Sequence, residues 1–168
     1  MLLVAATLKC VSPVLTIAAA LSSTKSIFAA TDDRDKIMEM KRQLCPNGQC
    51  SDALATVAIF DKWAQAVDEG KRAQQDVCRE WCLSRTTLMS ISDLRRHFLR
   101  ALVQAGFVPA NVCDFTSSVV KVKRGWDRHA KDFAMIRGVV CAGSYPNIAR
   151  VKLPETRYHD SVGGSMAI

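Results

Sequence analysis

Residues 92–107, SDLRRHFLRALVQAGF, decide the fold class of this chain. Ser92 is a favoured N-cap residue, and Gly106 suits the left-handed position that ends many helices. The stretch therefore predicts an amphipathic helix over about 92–105. Its apolar positions follow the 3.6-residue period of a helix buried along one side: Leu94, Phe98, Leu99, Leu102 and Val103.

Helical spacing also recurs on both sides of this stretch. In the helix predicted over about 13–21, Ser12 is the N-cap and Pro13 is the first helical residue. Short strands are expected near 119–123 and 148–153, and the tail from 154 has no periodicity. The sequence therefore predicts a mainly α fold, with further helices over about 2–10, 13–21, 33–44, 52–69, 71–82 and 128–141.

The composition agrees with a helical globular protein. The chain has 168 residues, enough for one compact domain, and 49% of them are apolar. That balance excludes wholesale disorder, collagen and coiled coil. The 8 glycines and 5 prolines argue against an all-β protein rich in turns.

Positive charge is concentrated in one part of the chain. The net charge is +7, and residues 71–137 alone hold thirteen bases against six acids. Residues 31–70 are acidic overall, with five bases against eight acids. A segregated basic region is what a polyanion-binding surface needs, although a solvated basic face without a ligand has the same composition.

The seven cysteines do not form the pattern of a closed disulfide framework, because their number is odd. Cys45 and Cys50 flank a turn sequence, and Cys78 and Cys82 lie one helical turn apart. Together they could form a four-thiolate zinc site, but neither spacing is the usual C-x2-C. Reduced thiols, largely buried, are the favoured interpretation.

The first thirty residues are apolar enough to be compared with a secretory signal peptide. No basic segment precedes the apolar run, and Lys9, Ser12 and Pro13 interrupt it. The unbroken stretch 14–21 is far shorter than the roughly 20 residues of a membrane span. Two short buried helices are therefore the favoured interpretation, with a signal peptide as the alternative.

The motifs of common enzymes are absent from the sequence. It contains no phosphate-binding G-x-x-x-x-G-K-[ST], no G-x-S-x-G elbow and no H-E-x-x-H zinc motif. His97, His129 and His159 are scattered, and no spacing pairs one with a particular cysteine. We therefore assign no catalytic residue and no metal ligand to this chain.

Five segments in order resemble the C-terminal part of DEAH-box and RNA helicase A-like RNA helicases. The last segment, IRGVVCAGSYPNIARV, is the most specific, because it is similar to the family's IKAVLCAGLYPNVARV at the start of its OB-fold. The other similarities are to a junction run, to the "SDHL…W" helix, to the "FCxxNFLS" stretch and to the "DIRKQL/F" helix. The segments are 3–22, 51–63, 78–84, 93–98 and 136–151.

The resemblance implies a domain organisation for nearly the whole chain. Residues 1–30 correspond to the end of a winged helix and its junction helices, and 31–110 to the helicase-associated (ratchet) helical domain. Residues 111–168 correspond to a linker and the truncated start of an OB-fold, with its first helix and strand. The two RecA-like domains, with their ATP and magnesium sites, have no counterpart here, and Cys82 stands where the family usually has Phe.

The resemblance also implies a function: an accessory segment of an ATP-dependent RNA helicase that lines the RNA channel and holds the RNA backbone without reading bases. The implied partners are single-stranded RNA, the parent's RecA-like domains and an activator protein at the OB-fold, in the cytoplasm or nucleus. This chain itself would have no ATPase activity and no membrane association. The candidate RNA-binding residues are Arg79, Arg85, Arg95, Arg96, Arg100, Lys121, Lys123 and Arg124.

Two other functions remain compatible with the residues. A stand-alone helical module could bind a protein partner and no RNA. A small secreted protein would require cleavage near residue 30 and oxidised cysteines.

Overall fold

A computed structural model describes residues 1–29, 34–44, 51–147, 158–159 and 165–166 of the chain. Within those ranges the structure is mainly helical, which confirms the fold class predicted from the sequence. The helices are α1 (Leu2–Thr7), α2 (Val11–Ser22), α3 (Arg34–Leu44), α4 (Asp52–Glu69), α5 (Lys71–Glu80), α6 (Arg85–Gln104) and α7 (Phe133–Ser144).

The strands are short and lie after the helical bundle. Strand β1 (Cys113–Asp114) pairs antiparallel with β2 (Lys121–Val122), so the strand expected over 119–123 is present in its second half. Strand β3 (Tyr158–His159) pairs antiparallel with β4 (Ser165–Met166). The strand expected over 148–153 lies outside the described residues.

Helix α6 is longer than the sequence pattern indicated. It begins at Arg85, where the side chain of Ser84 accepts the Thr87 N–H as an N-cap. The predicted N-cap, Ser92, is instead 7% exposed within the helix. The helix extends backwards because Leu88 and Ile91, both fully buried, continue the apolar stripe towards the N-terminus.

Two other predicted helix starts were also wrong. Helix α2 begins at Val11. In its first turn the Ser12 N–H donates to Oδ1 of Asp127, a residue far along the chain, at 2.8 Å. Helix α7 begins at Phe133 because the Asp132 carboxylate accepts the Met135 N–H at 3.0 Å. In both places a carboxylate satisfies an N–H group that the first turn leaves free.

The core consists of three neighbouring clusters of buried side chains. One joins α1 and α2 to α4 and α7, a second joins α2 to α4 and α6, and a third joins α1, α2 and α6 to the hairpin. The N-terminal apolar runs are thus two buried helices, as predicted. None of the helices in the described ranges is long and apolar enough to span a bilayer. The most buried large side chains are Phe60, Leu15, Ile17, Ile59, Leu88, Ile91, Leu99 and Ile136.

Candidate nucleic-acid interface

One face of α6 carries three arginines in a line, which we call the α6 ridge: Arg85, Arg96 and Arg100. At 3.6 residues per turn they lie within about 60° of one another around the helix axis. At 1.5 Å per residue they extend over about 22 Å. The ion pairs in the described ranges involve none of the three: they are Lys41–Asp52, Arg42–Glu39 and Lys121–Asp68.

The C-terminal half of the ridge contacts the β1–β2 hairpin. The Arg96 guanidinium donates to the backbone carbonyls of Phe115 at 2.6 Å and Ser117 at 2.9 Å. The Arg100 guanidinium lies 5.7 Å from the centre of the Phe115 ring. These partners are neutral, so they orient both cations without cancelling their charge.

The hairpin loop that receives Arg96 is organised by Asp114. Its carboxylate accepts the Thr116 N–H at 2.9 Å and also bonds the Thr116 and Ser117 hydroxyls. These hydrogen bonds favour the ionised carboxylate and hold the pKa of Asp114 well below its usual range. The loop therefore has a fixed conformation on which Arg96 can be anchored.

The prediction that Arg95 is available to RNA was wrong. Arg95 is only 2% exposed, and its guanidinium donates to the Ser12 carbonyl at 3.0 Å, to the Ser12 hydroxyl at 3.1 Å and to the Thr16 hydroxyl. It also lies 4.5 Å from the centre of the Phe60 ring. Arg95 therefore joins α6 to α2 and α4 as a structural residue, because its position on the helix points into the bundle.

Arg79 and Arg85 lie on either side of the turn that joins α5 to α6. Arg79 is in the last turn of α5 and Arg85 is the first residue of α6, and both are exposed. Burial raises the pKa of the nearby Cys78 thiol, and the positive charge of Arg85 partly opposes that rise. Arg79 adds an exposed cation near Arg85, the first residue of the α6 ridge.

The three basic candidates of the hairpin region have different surroundings. Lys121 forms an ion pair with Asp68, with Nζ and Oδ2 2.7 Å apart, so its charge is already neutralised by α4. Lys123 and Arg124 are exposed where the hairpin leads into a short 3-10 turn, Arg124–Trp126. The structure therefore leaves Lys123 and Arg124 as the free cations of this cluster within the described ranges.

A cleft of about 410 Å³ lies over the buried Arg95, and burial shifts the pKa values of two acids that line it. Burial raises the pKa of Asp127 to about 6, although its hydrogen bond from Ser12 and the charge of Arg95 oppose that rise. Burial also raises the pKa of Asp61 and lowers that of Arg95 to about 10. The cleft therefore brings together partly dehydrated charges from α4 (Asp61), from α6 (Arg95) and from Asp127, which follows the 3-10 turn.

A smaller cleft of about 160 Å³ opens beside the N-terminal half of the α6 ridge. Four parts of the fold meet there, namely α4, α5, α6 and the hairpin loop. Trp63 lies in its wall, 2% exposed, and the indole Nε1 has no hydrogen-bond partner. The side chains that line it are Trp63, Val67, Gln74, Arg85, Met89, Ser92, Asp93, Ser118 and Val119.

The described part of the chain does not bring together the ligands of the zinc site that was considered from the sequence. No group of three or more histidine, cysteine or acidic side chains is close enough there to hold a metal ion. The described cysteines are unpaired, and Cys45 and Cys50 lie outside the described residues. The zinc hypothesis therefore gains no support from the described ranges.

Two features of this surface were not anticipated from the sequence. Asp127 lies 115 residues from the Ser12 that it contacts, and no local pattern connects them. Trp63 was expected only as part of an apolar stripe, and an apolar stripe does not reveal whether the indole N–H finds a partner. In the sequence, the single signal for the contact between Asp127 and Ser12 was an acid placed next to basic residues.

Residues 1–81 match a known protein family, described as the helicase associated domain (HA2), ratchet-like. The chain is 34% identical over 154 residues to the human "ATP-dependent DNA/RNA helicase DHX36". That alignment covers 91% of this chain and 14% of the human protein.

Two further relatives give the same picture. The chain is 32% identical over 152 residues to the Arabidopsis thaliana "DExH-box ATP-dependent RNA helicase DExH1", covering 90% of this chain and 14% of that protein. It is 27% identical over 175 residues to the mouse "Putative ATP-dependent RNA helicase DHX57", covering 98% of this chain and 12% of that protein. The chain thus spans about one seventh of the length of such relatives.

Proposed function

We propose that this chain, which carries the helicase-associated region of DEAH-box RNA helicases, forms one wall of the RNA channel of such a helicase and binds the RNA backbone. The observation that supports the proposal is the α6 ridge, whose arginines have no acidic partner in the described ranges. Arginine is well suited to this role because its planar fork makes charge-assisted bonds to phosphate oxygens. Contacts of this kind position a strand without selecting its sequence.

Two side chains of the ridge are already held in place before any polyanion binds. Arg96 is held by the carbonyls of the hairpin loop, and Arg100 is placed against Phe115. Holding these long side chains in place reduces the entropy that they would lose on binding. Arg79, Lys123 and Arg124 add exposed positive charge outside the ridge.

The ATPase step belongs, in this proposal, to the RecA-like domains of the parent helicase, with ATP and magnesium bound there. An apolar groove of about 440 Å³ between α2, α4 and α7 supports docking of other parts of such a helicase. Leu21 lines this groove and is 69% exposed. A large apolar side chain open to solvent in a groove is typical of a surface that another protein segment covers. An activator protein at the OB-fold and a location in the cytoplasm or nucleus, where RNA is found, complete the proposal.

The test is the salt dependence of RNA binding. We expect a fluorescein-labelled U12 RNA to bind the chain with an affinity that falls steeply between 50 and 300 mM KCl, because bound phosphates release counterions. Neutralising two ridge arginines, Arg85→Gln with Arg100→Gln, should reduce the slope of log K against log salt by about 1.4, since each lost contact to a single strand removes about 0.7. Fluorescence anisotropy measures both quantities.

The control removes the same amount of charge elsewhere. Lys25 lies in the groove between α2 and α7, and Arg42 pairs with Glu39 on α3, so neither belongs to the ridge. The double variant Lys25→Gln with Arg42→Gln should keep the wild-type slope to within about 0.3. Binding that does not depend on salt, or equal effects of the two double variants, would contradict the proposal and favour a protein-interaction module.

A further inference from the structure

Residues 114–118 of the β1–β2 hairpin, which we call the anchor loop, hold two of the three ridge arginines in place. Three backbone carbonyls of this loop accept hydrogen bonds from the Arg96 guanidinium, at 2.6, 2.9 and 3.2 Å. The centre of the Phe115 ring lies 5.7 Å from the guanidinium carbon of Arg100. The directions in which Arg96 and Arg100 point therefore depend on the conformation of the anchor loop.

The Asp114 carboxylate accepts hydrogen bonds from the donors of the same loop. Its Oδ1 accepts the Thr116 N–H at 2.9 Å, the Thr116 hydroxyl at 2.6 Å and the Ser117 N–H at 3.4 Å, and its Oδ2 accepts the Ser117 hydroxyl. The Thr116 N–H and the Phe115 carbonyl belong to one peptide group, which is planar and carries the two on opposite sides. Asp114 thus fixes, through its bond to the N–H, the direction of a carbonyl that Arg96 uses.

The charge of Asp114 taken alone predicts that this residue weakens RNA binding. Its hydrogen bonds hold the pKa of Asp114 well below its usual range, so the carboxylate is ionised at neutral pH. A negative charge beside the cations of the ridge repels phosphates, and removing it should then strengthen binding. Its role in the anchor loop predicts the opposite sign, so substitutions of Asp114 separate the two effects.

We propose that Asp114 is a positioning residue for RNA binding, an inference that rests on the proposed function. The carboxylate increases the affinity for RNA phosphates because it fixes the anchor loop, and the loop fixes Arg96 and Arg100 before a strand binds. A long side chain that is already held loses less rotamer freedom when a ligand immobilises it. This gain outweighs the repulsion between the carboxylate and the phosphates, because water and salt screen a charge that lies near the surface.

Two substitutions at this position separate the charge from the loop geometry. Asp114→Asn removes the charge but keeps an oxygen in place of Oδ1, the atom that accepts three of the four hydrogen bonds from the loop. Its amide N–H can donate to the Ser117 hydroxyl. Asp114→Ala removes the charge and all four contacts. Electrostatics alone predicts equal and slightly tighter RNA binding for both variants, whereas positioning predicts weaker binding for Asp114→Ala only.

The assay is fluorescence anisotropy of fluorescein-labelled U12 RNA with the full chain at 100 mM KCl. We expect Asp114→Ala to bind about fivefold more weakly than the wild type, the loss that corresponds to about one long side chain set free. Asp114→Asn should bind at least as tightly as the wild type. Asp93→Ala is the matched control, since it removes an exposed acid of α6 outside the anchor loop, and it should bind slightly more tightly. Circular dichroism at 222 nm checks that each variant is folded.

A double-mutant cycle tests whether Asp114 acts through Arg96. In an Arg96→Gln chain the anchor loop has no guanidinium of Arg96 to orient, so adding Asp114→Ala should weaken binding by less than about twofold. In an Arg85→Gln chain the full effect should remain, because Arg85 lies about 16 Å from Arg96 along the helix axis. A general loss of folding would weaken binding equally in both chains, so the cycle distinguishes positioning from a merely structural role.

The outcomes also separate this inference from the proposed function. Equal effects of Asp114→Asn and Asp114→Ala, in either direction and with salt dependence retained, would overturn the inference and leave backbone binding intact. An effect of Asp114→Ala that is the same in the Arg96→Gln and Arg85→Gln chains would also overturn it. If the wild-type chain does not bind U12, or binds it without salt dependence, the proposed function is wrong and the role of Asp114 falls with it.

Discussion

Replacing Arg95 by alanine should destabilise the fold rather than weaken RNA binding. The substitution removes three hydrogen bonds from a guanidinium that is 2% exposed, and it leaves the Ser12 carbonyl and the Thr16 hydroxyl without this donor. Hydrogen bonds to charged groups contribute about 1.5–3 kcal/mol each, and truncating a large buried side chain adds a cavity. In the wild type, burying the guanidinium is itself unfavourable and lowers its pKa to about 10. That cost offsets part of the stabilisation that the hydrogen bonds provide.

The net loss expected for Arg95→Ala is about 3–5 kcal/mol of unfolding free energy, the range found when one member of a buried charged network is removed. For a chain of this size that corresponds to a fall in Tm of about 6–20 °C. Urea denaturation followed at 222 nm measures the free energy. Arg95→Met, which keeps the volume and removes the charge, should lose about half as much.

The neighbouring arginine provides the matched comparison. Arg96→Ala removes contacts to the carbonyls of a half-exposed loop, where water can replace the guanidinium, so the expected loss is about 1 kcal/mol. If Arg95→Ala retains stability to within about 1 kcal/mol of the wild type, or if Arg96→Ala costs as much as Arg95→Ala, the structural role assigned to Arg95 is wrong.

Two further predictions concern the helix starts. The pKa of Asp127 is about 6 in the folded chain, above its usual 3.8, so the folded state holds this proton more tightly and this group's contribution to stability falls as pH rises from about 4 to about 6. Asp127→Asn keeps an acceptor for Ser12 and should flatten the profile of urea midpoint against pH over that window; an unchanged profile would contradict the assignment. Ser84→Ala removes the N-cap of α6 and should cost about 1 kcal/mol by urea denaturation, whereas Ser90→Ala, in mid-helix, should cost less than half of that.

The sequence predicted secondary structure best where the spacing of apolar residues fits a helix that is buried on one side. The stripe from Leu94 to Val103 predicted a helix because only one face of α6 packs against the rest of the chain. The start of that helix was placed seven residues too late, because Ser84 and Ser92 are equally good caps by residue type. The choice between them depends on whether Leu88 and Ile91 find a core to enter, and that core is built from α2 and α4.

The contacts that shape the candidate site are mostly long-range, and for that reason they could not be predicted locally. Ser12 meets Asp127 across 115 residues and Arg95 across 83 residues. Each partner alone looks ordinary in the sequence: a serine before a proline, an acid near lysines, an arginine in a basic helix. The resemblance to the helicase family supplied the fold and the candidate arginines, but it did not separate structural arginines from exposed ones.

Arg95 and Arg96 show why that separation follows from geometry rather than from charge. Adjacent residues on a helix point about 100° apart, so the two cannot both belong to the ridge that contains Arg85 and Arg100. Arg95 lies within the apolar stripe, one turn from both Ile91 and Leu99, so it enters the bundle and replaces water with Ser12, Thr16 and Phe60. The other stays on the surface, where neutral carbonyls orient it and leave its charge available. A charge-reversal experiment that includes Arg95 would unfold the protein and imitate a loss of RNA binding, so a valid test of the interface must alter Arg85, Arg96 or Arg100 and leave Arg95 in place.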